Sequence, residues 1–305
     1  MSLYLGIDIG GTKTAGGLVT SSGEVISRVE WPTPAAEGGQ RVLENALAVA
    51  RELLNAANEP VLGIGIGAAG QIDADQGIVV YATDILTTWS GVDVRGAFEA
   101  AFGVPTNVDN DVNAFAVGEC RFGAARDIPT VVFLTLGTGV GGALVQNGKV
   151  HYGAHWSGGE FGNIIIKFDE TGLCATGAHP GSLEAYASGT GLVRTWRALG
   201  GAADMPVTGR DIAEDAVKNP NDLAAQAVRK TGEYLGYGLA SLANALDPDV
   251  IVIGGGLISL GALLLDPARR ILAEHGMDGP RDCPVLTATL GSDASIIGAA
   301  ALAMR

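Results

Sequence analysis

Cysteine, histidine and positive charge are all scarce in this chain, and each shortage excludes something. Its 305 residues include three cysteines and four histidines. Cys120, Cys174 and Cys283 are too few, odd in number and too scattered for a disulfide framework or a zinc ribbon, which suits a reducing compartment. Nineteen Lys and Arg stand against 33 Asp and Glu, for a net charge of -14. That balance argues against nucleic acid or an anionic membrane as a partner. It also means that any bound phosphate must be held by local backbone donors and a metal ion. Val250 to Leu265 is uncharged, but it is shorter than the roughly 20 residues of a membrane helix and contains a triple glycine. No basic region precedes the first apolar run, which Asp8 interrupts, so the expectation is a cytoplasmic protein without a signal peptide. The P-loop string Gly-x-x-x-x-Gly-Lys-Ser/Thr does not occur, which sets that nucleotide-binding class aside.

Glycine, by contrast, is abundant, with 46 residues, and apolar residues make up 47% of the chain. A chain of this length and composition can bury more than one core, so two domains are expected. No linker rich in Pro, Ser or charge separates them. One pattern occurs twice: an apolar run, a glycine-threonine turn and a second apolar run, in Tyr4 to Val25 and again in Val131 to Val150. Each copy reads as a glycine-turn hairpin extended by a third strand. Glycine at a tight turn lets backbone N–H groups approach and wrap an anion. Two such hairpins point to a nucleotide-dependent phosphotransferase with a cleft between related lobes.

Two strings also fit the dinucleotide spacing, Gly65-Gly67-Gly70 and Gly137-Gly139-Gly142. That fingerprint needs a helix after the glycines to receive the pyrophosphate, and here turn and strand residues follow. Elsewhere, apolar spacing predicts helices over Gln40 to Asn58, Val112 to Arg121, Ser182 to Leu199, Leu223 to Leu246 and Ala262 to His275. Strands are expected at Val61 to Gly67, Pro105 to Val108 and Val250 to Ile253. The segment Ala294 to Met304 is small and apolar, as suits a helix packed tightly on its neighbour.

Taken in order, LGIDIGGTKTAGGLV, VDNDVNAFAVGE, LGTGVGGALV, GGEFGN, GSLEAYASG and NALDPDVIVIGGG resemble the ROK family of sugar kinases and sugar-responsive repressors, from about residue 4 to the C-terminus. The resemblance implies an α/β chain with the two-lobed, actin-like ATPase (ribonuclease H-like) fold, duplicated mixed-sheet domains and a central cleft. It places the N-terminal lobe at residues 1–117 plus 293–305 and the C-terminal lobe at 118–292. It implies transfer of the γ-phosphate of ATP to a hexose hydroxyl, the 6-hydroxyl of glucose first, with magnesium. An N-acetylmannosamine or N-acetylglucosamine kinase is the alternative, and a homodimer is expected. A repressor of this family carries a helix-turn-helix, for which the chain before Tyr4 leaves no room; a non-catalytic sugar binder is the third reading.

By the same resemblance, Asp111 is the general base and Asp8 holds the magnesium ion through water. Gly10, Gly11, Thr12 and Lys13 form the first phosphate turn, and Gly137, Thr138, Gly139 and Gly141 the second. Gly254, Gly255 and Gly256 resemble the adenosine-binding turn. Asn110, Glu160, Asn163 and Glu184 resemble the sugar-hydroxyl ligands, a role that suits amides and carboxylates. At the strand-to-helix junction Asp111 is also expected to cap the helix, Asp109 to face the other way, and Trp89 or Trp156 to line the cleft. Many relatives bind a structural zinc through one histidine and three cysteines. Here those positions read Asn163, Ala175, Gly177 and Ser182, and Cys174 with His179 cannot complete a tetrahedral site, so no zinc is expected. Asp84 stands where relatives often have asparagine.

Overall fold

The computed structural model describes residues 2–82, 86–168 and 179–304. The chain folds into two compact units. One comprises Met1–Asp127, Gly148–Gly158 and Ala288–Arg305, the other Ile128–Asn147 and Gly159–Thr287. Among the described residues no helix is long and apolar enough to cross a membrane.

The first unit is built on β1 (Leu3–Ile9), β2 (Lys13–Thr20), β3 (Val25–Pro32), β4 (Val61–Ala68) and β7 (Thr106–Asn110), in the order β3-β2-β1-β4-β7. β1 and β2 pair antiparallel through the glycine turn, and β4 and β7 then add in parallel. β1 and β4 are close to continuously apolar because helices cover them, while β3 alternates at the edge. A two-stranded ribbon of β5 (Gln71–Asp73) and β6 (Ile78–Tyr81) follows β4.

Helix α1 (Gly39–Ala56) buries Val42, Leu43, Ala46, Val49, Ala50 and Leu53, a three-and-four spacing that makes one apolar face. Helix α2 (Val94–Phe102) is capped by Asp93 and ends at the left-handed Gly103. Helix α3 (Asp111–Phe122) leaves the end of β7 directly. The small-residue helix α9 (Ala294–Ala303) packs on β1, β4 and α3. Glycine makes that close approach possible: a Cβ on Gly6 or Gly65 would overlap the α9 backbone, and Gly118 of α3 faces Gly298 of α9. Glu119 ties the chain entering α9 to α3. Its fully buried carboxylate accepts the N–H groups of Thr289 and Leu290, both at 3.0 Å, and that of Ala124 at 2.7 Å.

The second unit repeats the strand pattern. β8 (Thr130–Leu136) and β9 (Val140–Gln146) form an antiparallel hairpin, and β11 (Val250–Gly254) and β12 (Val285–Thr287) add to β8 in parallel, giving β9-β8-β11-β12. Between them in sequence lie β10 (Lys149–Val150), α4 (Glu184–Ala187), α5 (Gly189–Ala198), α6 (Gly209–Lys218), α7 (Leu223–Leu246) and α8 (Ala262–His275). The single helix expected from Ser182 to Leu199 is therefore two. Ser188 is extended (φ -94°, ψ 175°) and its hydroxyl caps α5 by accepting from Gly191 N, which breaks the run.

Candidate active site

In the first unit the turn between β1 and β2 is closed by Gly10 N–H donating to Lys13 O at 3.0 Å. Any anion held there must therefore take its donors from the other amides of the turn. Asp8, near the end of β1, is half-buried; desolvation pushes its carboxyl above the ordinary carboxylate range, opposed by a hydrogen bond with Ser295 and by the charge of Lys13. Lys13 itself is exposed and bridges Glu30 at 3.1 Å on the neighbouring strand.

The start of α3 corrects the expected cap. Asn110, not Asp111, is the N-cap: its Oδ1 accepts from Val112 N at 2.9 Å and Asn113 N at 3.2 Å, and its Nδ2 donates to Gly70 O at 2.9 Å. Asp111 is the first helical residue, half-buried, with Oδ1 2.9 Å from Val112 N. The two residue types cap equally well, and only the backbone turn at Asn110 (φ -60°, ψ 147°) decides between them.

Asp109 is buried among donors: Asn110 N at 2.7 Å and Asn113 Nδ2 at 2.8 Å to one oxygen, and the Tyr152 hydroxyl at 2.7 Å to the other. Burial raises its carboxyl above the ordinary value, and the three hydrogen bonds oppose that rise. Trp89, expected at the cleft, is instead a core residue with no exposed surface, its indole N–H donating to Ala69 O at 3.1 Å. Trp156 is half-buried against Tyr152, with ring centroids 5.2 Å apart.

In the second unit Gly137 N–H donates to Gly139 O at 3.0 Å, closing the turn between β8 and β9. This turn rests on Glu184, whose Oε2 accepts from Val140 N at 2.9 Å; a Cβ on Gly139 would overlap that carboxylate. Gly141 lies in β9 opposite Thr135. Glu160 accepts a hydrogen bond from Asn163 Nδ2 at 3.3 Å. Desolvation, with the like charge of Glu184 added, pushes its carboxyl up although the residue keeps an exposed side. The structure thus brings Glu160, Asn163, Glu184 and the second glycine turn into one cluster.

A cavity of about 1710 Å³ opens beside this turn, and Gly137, Thr138 and Gly256 all line it. Gly254 ends β11, and Gly255, which follows it, has φ +88° and lies so close to the Leu136 backbone that a Cβ would overlap it. Thr190, Arg194, Thr208 and Leu257 also line it and carry no expectation from sequence. Thr190 Oγ1 donates to Thr138 O at 3.1 Å, linking the turn to the start of α5. The Ser-Gly-Thr-Gly run from Ser188 was the available signal for this helix start.

Ser182 is buried and its Oγ accepts from Ala185 N at 3.3 Å. Cys174, Ala175, Gly177 and Asp84 lie outside the described residues. Among the described residues no group of three or more His, Cys, Asp or Glu side chains could hold a metal ion.

A protein-family model described as the ROK family matches residues 4–305. The chain is 34% identical to a glucokinase of Streptomyces coelicolor over 99% of its own length and 98% of the relative's. It is 30% identical to an N-acetyl-D-glucosamine kinase of Vibrio atlanticus, covering 99% of this chain and 100% of that one. Its fold is similar to the crystal structure of a ROK family glucokinase from Streptomyces griseus in complex with glucose and AMPPNP, with a TM-score of 0.84, 33% identity and 99% of each chain covered.

Proposed function

The chain belongs to the ROK family and is a sugar kinase, and from that premise we propose that it moves the γ-phosphate of ATP to the 6-hydroxyl of an unmodified hexose, glucose first. The observation that carries this reading is the division of labour at the start of α3. Asn110 supplies the N-cap, and Asp111 follows as the first helical residue, a half-buried carboxylate at the end of β7, which supports its reading as the base.

Phosphoryl transfer asks little covalent help of a protein; it asks for in-line positioning, charge neutralisation and a base for the attacking hydroxyl. In this reading Asp111 takes the proton of the acceptor hydroxyl as its oxygen attacks the γ-phosphorus and ADP leaves. Glu160, Asn163 and Glu184 orient the sugar, with Asn110 contributing the second amide hydrogen of the Nδ2 group that donates to Gly70 O. The cluster of Glu160, Asn163 and Glu184 supports this, because a pyranose offers paired hydroxyls to a pair of acceptors. The cavity bounded by Gly137, Thr138 and Gly256 supports an adenosine seat next to the second phosphate turn.

Asp8 fits a magnesium ion. Its desolvated carboxyl is a group that an added cation stabilises. A single carboxylate leaves the other coordination positions to water and phosphate oxygens, as hydrated magnesium prefers. When bound, the ion supplies charge neutralisation at the phosphates. The loop that holds zinc in relatives is read here as zinc-free, since Asn163, Ala175, Gly177 and Ser182 stand where those relatives place the ligands. A cytoplasmic homodimer belongs to this reading by family resemblance.

The N-acetylglucosamine kinase relative supports a second reading, and Asn163 favours it physically. An amide there is shorter than an imidazole and leaves room for a substituent near the anomeric end. NMR of the sugar product after incubation with ATP and magnesium tests the proposal. Glucose 6-phosphate, formed one for one with ADP, is expected. Absence of transfer to glucose, mannose, fructose and both N-acetyl sugars would overturn the kinase assignment, and phosphate at another hydroxyl would overturn the position.

A further inference from the structure

Asp109 is a buried carboxylate to which the transfer step gives no task. Its Oδ1 accepts Asn110 N–H at 2.7 Å and Asn113 Nδ2 at 2.8 Å, and its Oδ2 accepts the Tyr152 hydroxyl at 2.7 Å. All three donors are neutral, and their hydrogen bonds oppose the desolvation that pushes this carboxyl up. The Asn113 amide turns its NH2 to Asp109, and its Oδ1 is then buried with no hydrogen-bond partner among the described residues. A buried polar atom left unpaired is unfavourable, so the network satisfies Asp109 in preference to Asn113.

These bonds bracket Asp111. Asp109 holds the amide of Asn110, the residue before Asp111, and the side chain of Asn113, two residues after it. Asn110 Oδ1 holds the backbone of the same turn, accepting from Val112 N at 2.9 Å and Asn113 N at 3.2 Å. Gly67 of β4 closes the third side: a Cβ built there would lie 3.4 Å from Asp111 Cα. Tyr152 is the member of the network that comes from elsewhere in the chain. It belongs to Gly148–Gly158, which packs with the first unit although the residues on either side of it in sequence belong to the second. Gly158 N–H donates to Tyr152 O at 2.7 Å, and the Trp156 ring leans on the phenol with centroids 5.2 Å apart. Burial and the adjoining Asp109 carboxylate push the phenol up, so it stays protonated and keeps donating.

We propose that Tyr152 and Asp109 are positioning residues for the transfer step: the Tyr152 hydroxyl orients the Asp109 carboxylate, which sets the junction of β7 and α3 and with it the Asp111 carboxylate. The bond to Oδ2 fixes the plane of the Asp109 carboxylate, so that Oδ1 meets Asn110 N and Asn113 Nδ2 together. A base displaced by about 1 Å can lose on the order of 10²-fold in rate, which is how a hydroxyl outside the reaction can govern it. The inference rests on the reading of Asp111 as the base.

The test uses the full chain with Tyr152→Phe, Asp109→Asn and Asp109→Ala. Tyr152→Phe keeps the ring and removes only the hydroxyl, so it should lower kcat about tenfold while KM for glucose and for ATP each stay within about threefold of the parent. Asp109→Asn keeps an acceptor for Asn110 N and Asn113 Nδ2, and its NH2 can donate to the Tyr152 oxygen, so it should retain more turnover than Asp109→Ala. A role in packing alone would not depend on Asp111, which makes a double-mutant cycle the deciding measurement. In the Asp111→Asn background, adding Tyr152→Phe should slow turnover by less than about twofold, because the hydroxyl acts through a carboxylate that is already gone.

A kcat of Tyr152→Phe within about twofold of the parent would overturn the proposal, as would a rise in KM without a fall in kcat. So would the same fall of about tenfold in both backgrounds, which would make Tyr152 independent of Asp111. If Asp111→Asn turns over too slowly to be read, kcat against KM in Tyr152→Phe decides. If Asp109→Ala fails to fold, Tyr152→Phe and Asp109→Asn decide. Turnover of Asp111→Asn within about tenfold of the parent would sink the reading of the base itself, whereas a crippled Asp111→Asn beside an undisturbed Tyr152→Phe would sink the positioning alone.

Discussion

Exchanging Asn110 and Asp111 one at a time should separate the fold of this protein from its chemistry. Asn110→Ala removes the acceptor of two backbone N–H groups at the start of α3 and the donor to Gly70 O. A lost cap costs about 1 kcal/mol and up to 2, and a net hydrogen bond about 1, so roughly 2–3 kcal/mol of stability should go. Asp111→Asn leaves the cap and the helix in place and should shift stability by no more than about 0.5 kcal/mol. If Asp111 is the base, its loss should slow turnover by roughly 10²–10⁴, which is about 2.7–5.4 kcal/mol of barrier. Urea unfolding followed by circular dichroism gives the first pair of numbers and coupled ADP release the second. Asp111→Asn with turnover within about tenfold of the parent would reduce Asp111 to a first-turn helical residue. A stability loss in Asp111→Asn that exceeds that of Asn110→Ala would refute the cap assignment.

Asp8 and Asp109 both have carboxyls raised in the folded state, so each binds its proton more tightly folded than unfolded. Their contribution to stability is complete below the unfolded carboxylate range and is lost as pH rises through the raised values, and Asp109→Asn should flatten that part of the unfolding free energy against pH. An unchanged slope would contradict the burial argument. Gly139→Ala would force a Cβ onto the Glu184 carboxylate, so sugar turnover should fall steeply while circular dichroism stays that of the parent; turnover within about twofold would contradict it. Gly65→Ala would drive a Cβ into the backbone of α9 and should cost at least the roughly 1–3 kcal/mol of an overpacked core, read as a lower urea midpoint. Elemental analysis of the purified chain should find no stoichiometric zinc, and one tightly held zinc per chain would contradict the reading of Ser182.

The hairpins, α1, α3, α7, α8 and α9 were legible because each carries a local pattern: a glycine turn between apolar runs, a three-and-four apolar spacing, or a run of small residues. Helices α2 and α6 carried no expectation, although Asp93 and the Thr208–Asp211 capping box mark their starts, because their buried faces are short. The break at Ser188 was hidden because apolar residues continue on both sides of it. At the site, the glycine turns were legible as tight turns between apolar runs, and the order of motifs along the chain supplied the candidate acids whose roles belong to the proposed function. The Asn110 cap was not, since two adjacent residues of capping type present the same signal. The Tyr152–Asp109 bond joins residues 43 apart with no local mark of it. Trp89 shows the converse: an aromatic beside a candidate site is as readily core, and only its complete burial tells which.

The central claim is that this site transfers phosphate from ATP to an unmodified hexose. The ratio of kcat/KM for glucose to that for N-acetylglucosamine and N-acetylmannosamine, with ATP and magnesium fixed, tests it most directly. A site whose buried polar groups are matched to a hydroxyl discriminates strongly against its replacement, so glucose should lead both by at least about tenfold, or 1.4 kcal/mol of transition-state binding. A lead of that size for either N-acetyl sugar would contradict the account and make the second reading the correct one.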